Sequence, residues 1–255
     1  MDQKKRVYHI NAKRVTENVI LCGRRSRAFG IIKRVKGRVL SDEDYVLGIG
    51  KNEGKEVAVC SHGIGGPSIA IVVRELAELG ARRFVRVGSS GALHPSVNVG
   101  DVVIATGAVR DDGSEYIAPI ELPAIASPGL VDALVEMSKG VALPKGSKLH
   151  VGLVHSKYDF FSELPELTLD EQATRKGWER LRNLRVLCSE MECGVLFVSC
   201  IVLSQRMKAH IEAGALLVPV GRVEEEPYTS NADLRKKAEG AMDAAIGVAL
   251  DALTK

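Results

Sequence analysis

Apolar residues along this chain fall into short runs broken by charged or glycine-rich punctuation. Seven runs have strand length: 18–21 (NVIL), 44–50 (DYVLGIG), 56–60, 84–88, 101–109, 148–154 and 213–220. Between several of them lie segments with the helical i, i+3, i+4, i+7 spacing, at 68–80, 128–140, 191–207 and 231–253. The last opens at Asn231, a residue type that caps helix N-termini. Strands alternating with helices predict an α/β protein whose largely parallel or mixed sheet is covered on both faces. Sites in such sheets form beyond the carboxyl ends of the strands, where strand-to-helix turns meet. The stretch 157–185 is the most polar and irregular, and suits a lid or an insertion over a site. With 255 residues, 45% of them apolar, and no internal repeat, one core and one domain over 1–255 are expected.

Charge and cysteine content narrow the function classes. Lysine and arginine number 35 against 32 acidic residues, so no dominant basic face for nucleic acid is expected. The basic opening MDQKKRVYHI has no apolar stretch behind it, and no apolar run reaches the length of a membrane span. A cytoplasmic protein that contacts neither nucleic acid nor membrane is the expectation. The five cysteines are odd in number, lack a CxxC pair and sit mostly in apolar runs, which predicts buried thiols and no metal site.

Three corners carry candidate chemistry. SHGIGGPS (61–68) turns a strand into a helix. It lacks the Lys-Ser/Thr of a phosphate loop, has Ile64 where a nucleophile elbow needs serine, and departs from the dinucleotide spacing. RVGSSG (86–91) places an arginine, two hydroxyls and two glycines after a strand, a set that suits an oxyanion. Arg86 interrupts an apolar strand pattern, so it needs a partner, and a bound anion is one candidate. SEMEC (189–193) sets Glu190 and Glu192 at the start of an apolar helix. There they either complement the helix dipole or accept hydrogen bonds from vicinal hydroxyls. Their spacing of two on a helix predicts that at most one enters a given pocket.

The segment 61–76 together with R-V-G-S-S-G and S-E-M-E-C, in this order and spacing, resembles the nucleoside phosphorylase-I family of uridine, purine nucleoside and methylthioadenosine phosphorylases. The resemblance runs from about residue 7 to the C-terminus. It implies a single-domain α/β fold with a distorted mixed central sheet flanked by helices on both faces. The implied activity is phosphorolysis of a nucleoside to free base and pentose 1-phosphate, with inorganic phosphate as co-substrate and no cofactor. Carried over residue by residue, it assigns phosphate to Gly23, Arg27, Arg86 and Ser89. Ribose falls to Met191 and Glu192, and to His9 reaching in from a neighbouring subunit. The base falls to Ser90, Gly91, Phe160 and Arg222, and Arg86, Glu192 and Arg222 are the implied catalytic groups. A homo-oligomer built on dimers, a hexamer, follows from the same resemblance.

Four departures shape the substrate reading. The family's G-D-P-x-R turn reads Gly23-Arg24-Arg25-Ser26-Arg27, and acidic Asp42-Glu43-Asp44-Tyr45 stands where a neighbouring subunit usually donates an arginine. No acid occupies the place of the purine-protonating aspartate, where Gly221 and Arg222 stand instead. The Gln-x-Arg pair that reads uracil is also missing, with Lys157, Arg175 and Arg222 as possible substitutes. A uridine phosphorylase is the favoured expectation. A purine or methylthioadenosine enzyme with its acid displaced to Glu224, Glu225 or Glu226 is the second, and a nucleoside-binding relative without turnover the third.

Overall fold

The computed structural model describes residues 7–255. Its first half runs β1 (Asn18–Cys22), α1 (Arg25–Arg34), β2 (Arg38–Asp42), β3 (Val46–Asn52), β4 (Lys55–Ser61), α2 (Gly66–Glu78) and β5 (Arg83–Ala92). The second half runs β6 (Val102–Asp111), β7 (Ala124–Ile125), α3 (Pro128–Ser138), β8 (Leu149–Lys157), α4 (Glu171–Asn183), β9 (Cys188–Glu190), α5 (Cys193–Met207), β10 (Glu212–Arg222) and α6 (Ala232–Thr254). Each of the seven expected strands and four expected helices is present.

The sheet is mixed, and one half of it closes on itself. Strand order is β10-β6-β8-β9-β5-β1-β4-β3-β2, and β10 also pairs with β5. Five strands therefore form a ring, from which β1, β4, β3 and β2 extend as an open sheet. The β5–β10 seam is parallel and long, running from Arg83↔Glu212 to Ala92↔Arg222 with a register shift between Pro219 and Gly221. The short β9 bridges the ring, antiparallel to β5 and parallel to β8. This closure is the distortion expected of the central sheet.

Alternation along the strands sorts the core into two layers. Val19, Leu21, Ala58, Cys60 and Phe84 pack with α2 and α5 residues such as Ile69, Leu76 and Leu196. Ile20, Cys22, Val57, Val59, Val85 and Val87 pack on the other face with Ile31, Met242, Ala245 and Leu250. Arg86 falls in the same alternation class as Phe84, which directs it toward the α5 side.

Two helices escape the sequence pattern. In α1 the buried residues are Ala28, Ile31 and Ile32, a short apolar stripe among basic residues. Helix α4 buries only Trp178 and Leu181 and is otherwise largely polar, so the stretch expected to be irregular contains a helix after two 3-10 turns, Phe160–Glu163 and Pro165–Leu167.

Candidate active site

The turns after β1, β4 and β9 meet the carboxyl ends of β5 and β8 around one cavity, as the rule for open α/β sheets anticipates. Its walls include Gly23 and Arg27 from the first turn, Gly63 from the second, and Arg86, Ser89, Ser90 and Gly91 from β5. Met191 and Glu192 enter after β9, and Phe160 from the 3-10 turn beyond β8. Nine of the eleven residues singled out from the sequence thus meet in one place.

Arg86 is 3% exposed and anchors the floor. Its Nε lies 3.2 Å from Glu190 Oε2, and its Nη2 bonds both Glu190 and Glu192. Burial would lower its pKa, but Glu192 and Glu190 outweigh that and hold it above the ordinary arginine value. Among the described residues Nη1 bonds to none, and it keeps its two protons for a ligand. The guanidinium lies over Gly88, where any Cβ would overlap it.

The two glutamates divide the work at the N-terminus of α5. Glu190 accepts from the backbone N–H groups of Glu192 (2.9 Å) and Cys193 (2.9 Å), and from the Ser156 hydroxyl. Burial alone would raise its pKa, but Arg86, Ser156 and those amides bring it below the ordinary value. Glu192 accepts from Gly65 N at 2.7 Å, so the glycine turn after β4 positions a carboxylate. Burial raises the Glu192 pKa against the pull of Arg86. Both glutamates line the cavity, contrary to the expectation of one. The reason is local: Glu190 ends a strand, and the helix starts only at Cys193, so helical spacing does not apply to the pair.

Arg27 supplies the second guanidinium. One Nη1 contact, to Val87 O at 3.3 Å, is its only hydrogen bond among the described residues, and its half-buried position lowers its pKa. Behind Gly23 and Gly63 lies His62, fully buried with neither ring nitrogen hydrogen-bonded. Burial first, then Arg86 and Arg27, depresses its pKa far below the histidine norm. Gly23 itself must be glycine, since a Cβ would stand 2.9 Å from Gly63 O.

Two expected residues lie elsewhere. Arg222 follows the register shift in β10, and its Nη2 donates to Val97 O at 2.8 Å while Nε faces Glu225 at 3.8 Å. It is thereby held off the cavity, and the expected place beside the base is corrected. His9 is held at its own chain's Glu75, with Nδ1 2.8 Å from Oε1, and does not reach this chain's cavity. Of the arginines in the first turn, Arg24 reaches the cavity and lies 5.9 Å above the Tyr228 ring, while Arg25 is bonded to Asp42 and to Glu43 O. Glu43 accepts from Asn11 and stands outside the cavity. The candidate displaced acids are outside as well: Glu224 pairs with Arg182, Glu225 faces Arg222, and Glu226 accepts from Ser230 N. Arg175 pairs with Glu171 on the surface.

Sequence reading missed Tyr228, which stacks with Phe160 at 6.1 Å between centroids, and Glu163; Lys157, one of the three substitutes named for the absent Gln-x-Arg pair, lines the cavity paired with Glu163. Four cations, Arg24, Arg27, Arg86 and Lys157, face three carboxylates, leaving one positive charge in excess. Chemically the cavity can hold an anion at one end, hydroxyls at Glu192, and a flat polar ring between Phe160, Tyr228 and the Lys157–Glu163 pair.

The family model described as "Phosphorylase superfamily" matches residues 37–201. Uridine phosphorylase of Haemophilus influenzae is 33% identical over 259 residues, covering 95% of this chain and 97% of that protein. Guanosine phosphorylase of Halorubrum lacusprofundi is 32% identical, over 85% of this chain and 83% of its own length. The crystal structure of uridine phosphorylase from Vibrio fischeri superposes with a TM-score of 0.80 at 27% identity, covering 94% of this chain and 92% of that one.

Proposed function

The chain belongs to the phosphorylase superfamily, and from that membership we propose that it is a nucleoside phosphorylase, a pentosyltransferase that cleaves uridine to uracil and ribose 1-phosphate. One observation carries the reading: two guanidinium groups with unspent donors, Arg27 and Arg86, share a cavity with Glu192. A phosphate oxygen forms a bond to the anomeric carbon while the bond from that carbon to the base nitrogen breaks, its electron pair leaving with the base. Positive charge grows on the sugar and negative charge on the base. Arg27, Arg86 Nη1, the Ser89 hydroxyl and the Gly23 backbone would hold the phosphate. Glu192 would accept hydrogen bonds from the ribose hydroxyls, with Met191 packed against the sugar. Positioning and preorganised charge are the main sources of acceleration for such a step.

The absence of Glu224, Glu225 and Glu226 from the cavity removes the support for a displaced purine acid. We further propose that the whole of 1–255 acts as one domain in the cytoplasm, with phosphate as the sole co-substrate and no cofactor. The protein would work as a homo-oligomer built on dimers, a hexamer, in which His9 serves a neighbour's ribose site. Exposed Leu149, Val151 and Leu153 on β8, with Ile125 of β7 beside them, give β6–β8 an apolar outer face that suits contact between copies.

Incubating the protein with uridine and phosphate, in the presence of a chelator, should release uracil and ribose 1-phosphate. Arg86→Ala should raise the phosphate KM at least ~100-fold, since hydrogen bonds to charged groups and lost orientation each cost that order. Binding of nucleoside without any phosphate-dependent cleavage would reduce the protein to a binding relative.

A further inference from the structure

The oxyanion and pentose groups leave one polar pair in the cavity without a task. Lys157, the last residue of β8, places Nζ 2.6 Å from Glu163 Oε1. Both side chains are 3% exposed, and both line the cavity. Replacing a buried ion pair by apolar residues of similar size is often neutral or stabilising, so stability alone is a weak reason for its presence.

The pair is also half-spent. An ammonium carries three donors, and Lys157 uses one on Glu163. A carboxylate accepts at two oxygens, and Glu163 Oε2 receives no hydrogen bond from the described residues. The main chain that carries the carboxylate is fixed, because Glu224 N donates to the Glu163 backbone O at 2.9 Å. Gly91 makes room for it, since a Cβ there would stand 3.0 Å from Glu163 Oε1. Lys157 Nζ lies 5.7 Å from the centre of the Phe160 ring, so the unspent donors and acceptor border the aromatic slot.

We propose that Lys157 and Glu163 read the hydrogen-bonding edge of the base, selecting rings in which an N–H adjoins a carbonyl. This rests on the phosphorylase reading and specifies the substrate class of that site. Uracil, hypoxanthine and guanine present an N–H to the carboxylate and a carbonyl oxygen to the ammonium. Cytosine and adenine present a ring-nitrogen lone pair to the carboxylate and an amino group to the ammonium, so both contacts become repulsive. The ammonium has a second effect: as the electron pair moves onto the base, charge spreads to the carbonyl oxygen that Lys157 holds. Fixed, buried groups give strong rejection because a mismatched base leaves them unpaired.

The test compares uridine, cytidine, inosine, adenosine and 3-methyluridine, the last lacking the N–H with the same ring. Equilibrium binding and kcat/KM are both measured, on the full-length protein and on Glu163→Gln and Lys157→Met. Uridine should exceed cytidine and 3-methyluridine at least ~100-fold, and inosine should exceed adenosine similarly. Glu163→Gln should narrow the uridine-to-cytidine ratio at least ~10-fold, because an amide can turn its donor to a ring nitrogen, while the phosphate KM stays near that of the parent. Equal handling of uridine, cytidine and 3-methyluridine by the unmodified protein overturns the proposal without recourse to a variant. So does a base ratio unmoved by both substitutions. Selective uridine binding with no cleavage would sink the phosphorylase and leave the base reader standing; cleavage of every nucleoside alike would do the reverse.

Discussion

At the scale of single residues, Gly88 is as consequential as the side chains it serves. Arg86 can fold its guanidinium over the strand only because position 88 carries no Cβ. Gly88→Ala should displace that group by the order of an ångström and raise the phosphate KM ~100-fold, a loss typical of such misplacement. Steady-state kinetics at varied phosphate decide it, and an unchanged phosphate KM would mean the guanidinium is not held there. Glu192 makes a different prediction, because its work lies on the sugar. Glu192→Gln keeps shape and weakens acceptance, so phosphorolysis of uridine should fall more than that of 2′-deoxyuridine. Equal losses would remove the carboxylate from the 2′-hydroxyl.

At the scale of elements, the N-terminus of α5 explains why the site stands where it does. The N-cap residue of α5, Glu192, offers no side-chain cap to the first amides of the helix. Glu190 takes Cys193 N, Ser156 Oγ takes Gly194 N at 2.8 Å, and Asp112 Oδ2 takes Val195 N at 2.7 Å. Strands β9 and β8 and the loop after β6 are thereby tied to one helix end. Burial pushes Asp112 up to about 6, from an ordinary value of 3.8. Between these two values the folded chain retains a proton that the unfolded chain has released. The carboxyl therefore lowers stability as pH rises from about 4 to about 6, on the order of 2–3 kcal/mol. Asp112→Asn should lose that slope, so denaturant unfolding at pH 4.5, 5.5 and 6.5 should show the parent weakening relative to the variant. Parallel profiles would place the titration elsewhere.

The same elements show what periodicity could and could not deliver. Strands buried on both faces announce themselves as apolar runs, and Arg86 stood out because it broke one. Helix α1 hides its stripe of Ala28, Ile31 and Ile32 among basic residues, and α4 buries only Trp178 and Leu181, so neither rises above the polar background. Glu163 and Tyr228 are ordinary residues in sequence, and Lys157 enters there only as one of three candidate substitutes for an absent pair. They acquire a role only when the β5–β10 seam and the 3-10 turn after β8 bring positions more than sixty residues apart to one slot. Arg222 fails for the complementary reason: a register shift in the strand, invisible in sequence, decides which way its side chain goes.

At the scale of the whole molecule, the proposed sharing of sites between copies is open to a direct trial. Glu75 receives the backbone N–H groups of Tyr8, His9 and Ile10 and bonds the His9 ring, so residues 8–10 are fixed to α2 with the imidazole 41% exposed. A histidine pinned at the surface of its own subunit can act only on something docked there. If His9 completes a partner's ribose site, a chain lacking His9 and a chain lacking Arg86 are each inactive for different reasons, and in a mixed dimer one site inherits both intact residues. Mixing His9→Ala and Arg86→Ala chains by co-refolding should therefore restore roughly a quarter of the parent sites under random two-fold pairing. Neither variant alone should gain activity by the same treatment. Activity no greater than the sum of the two separate variants would confine each site to a single chain.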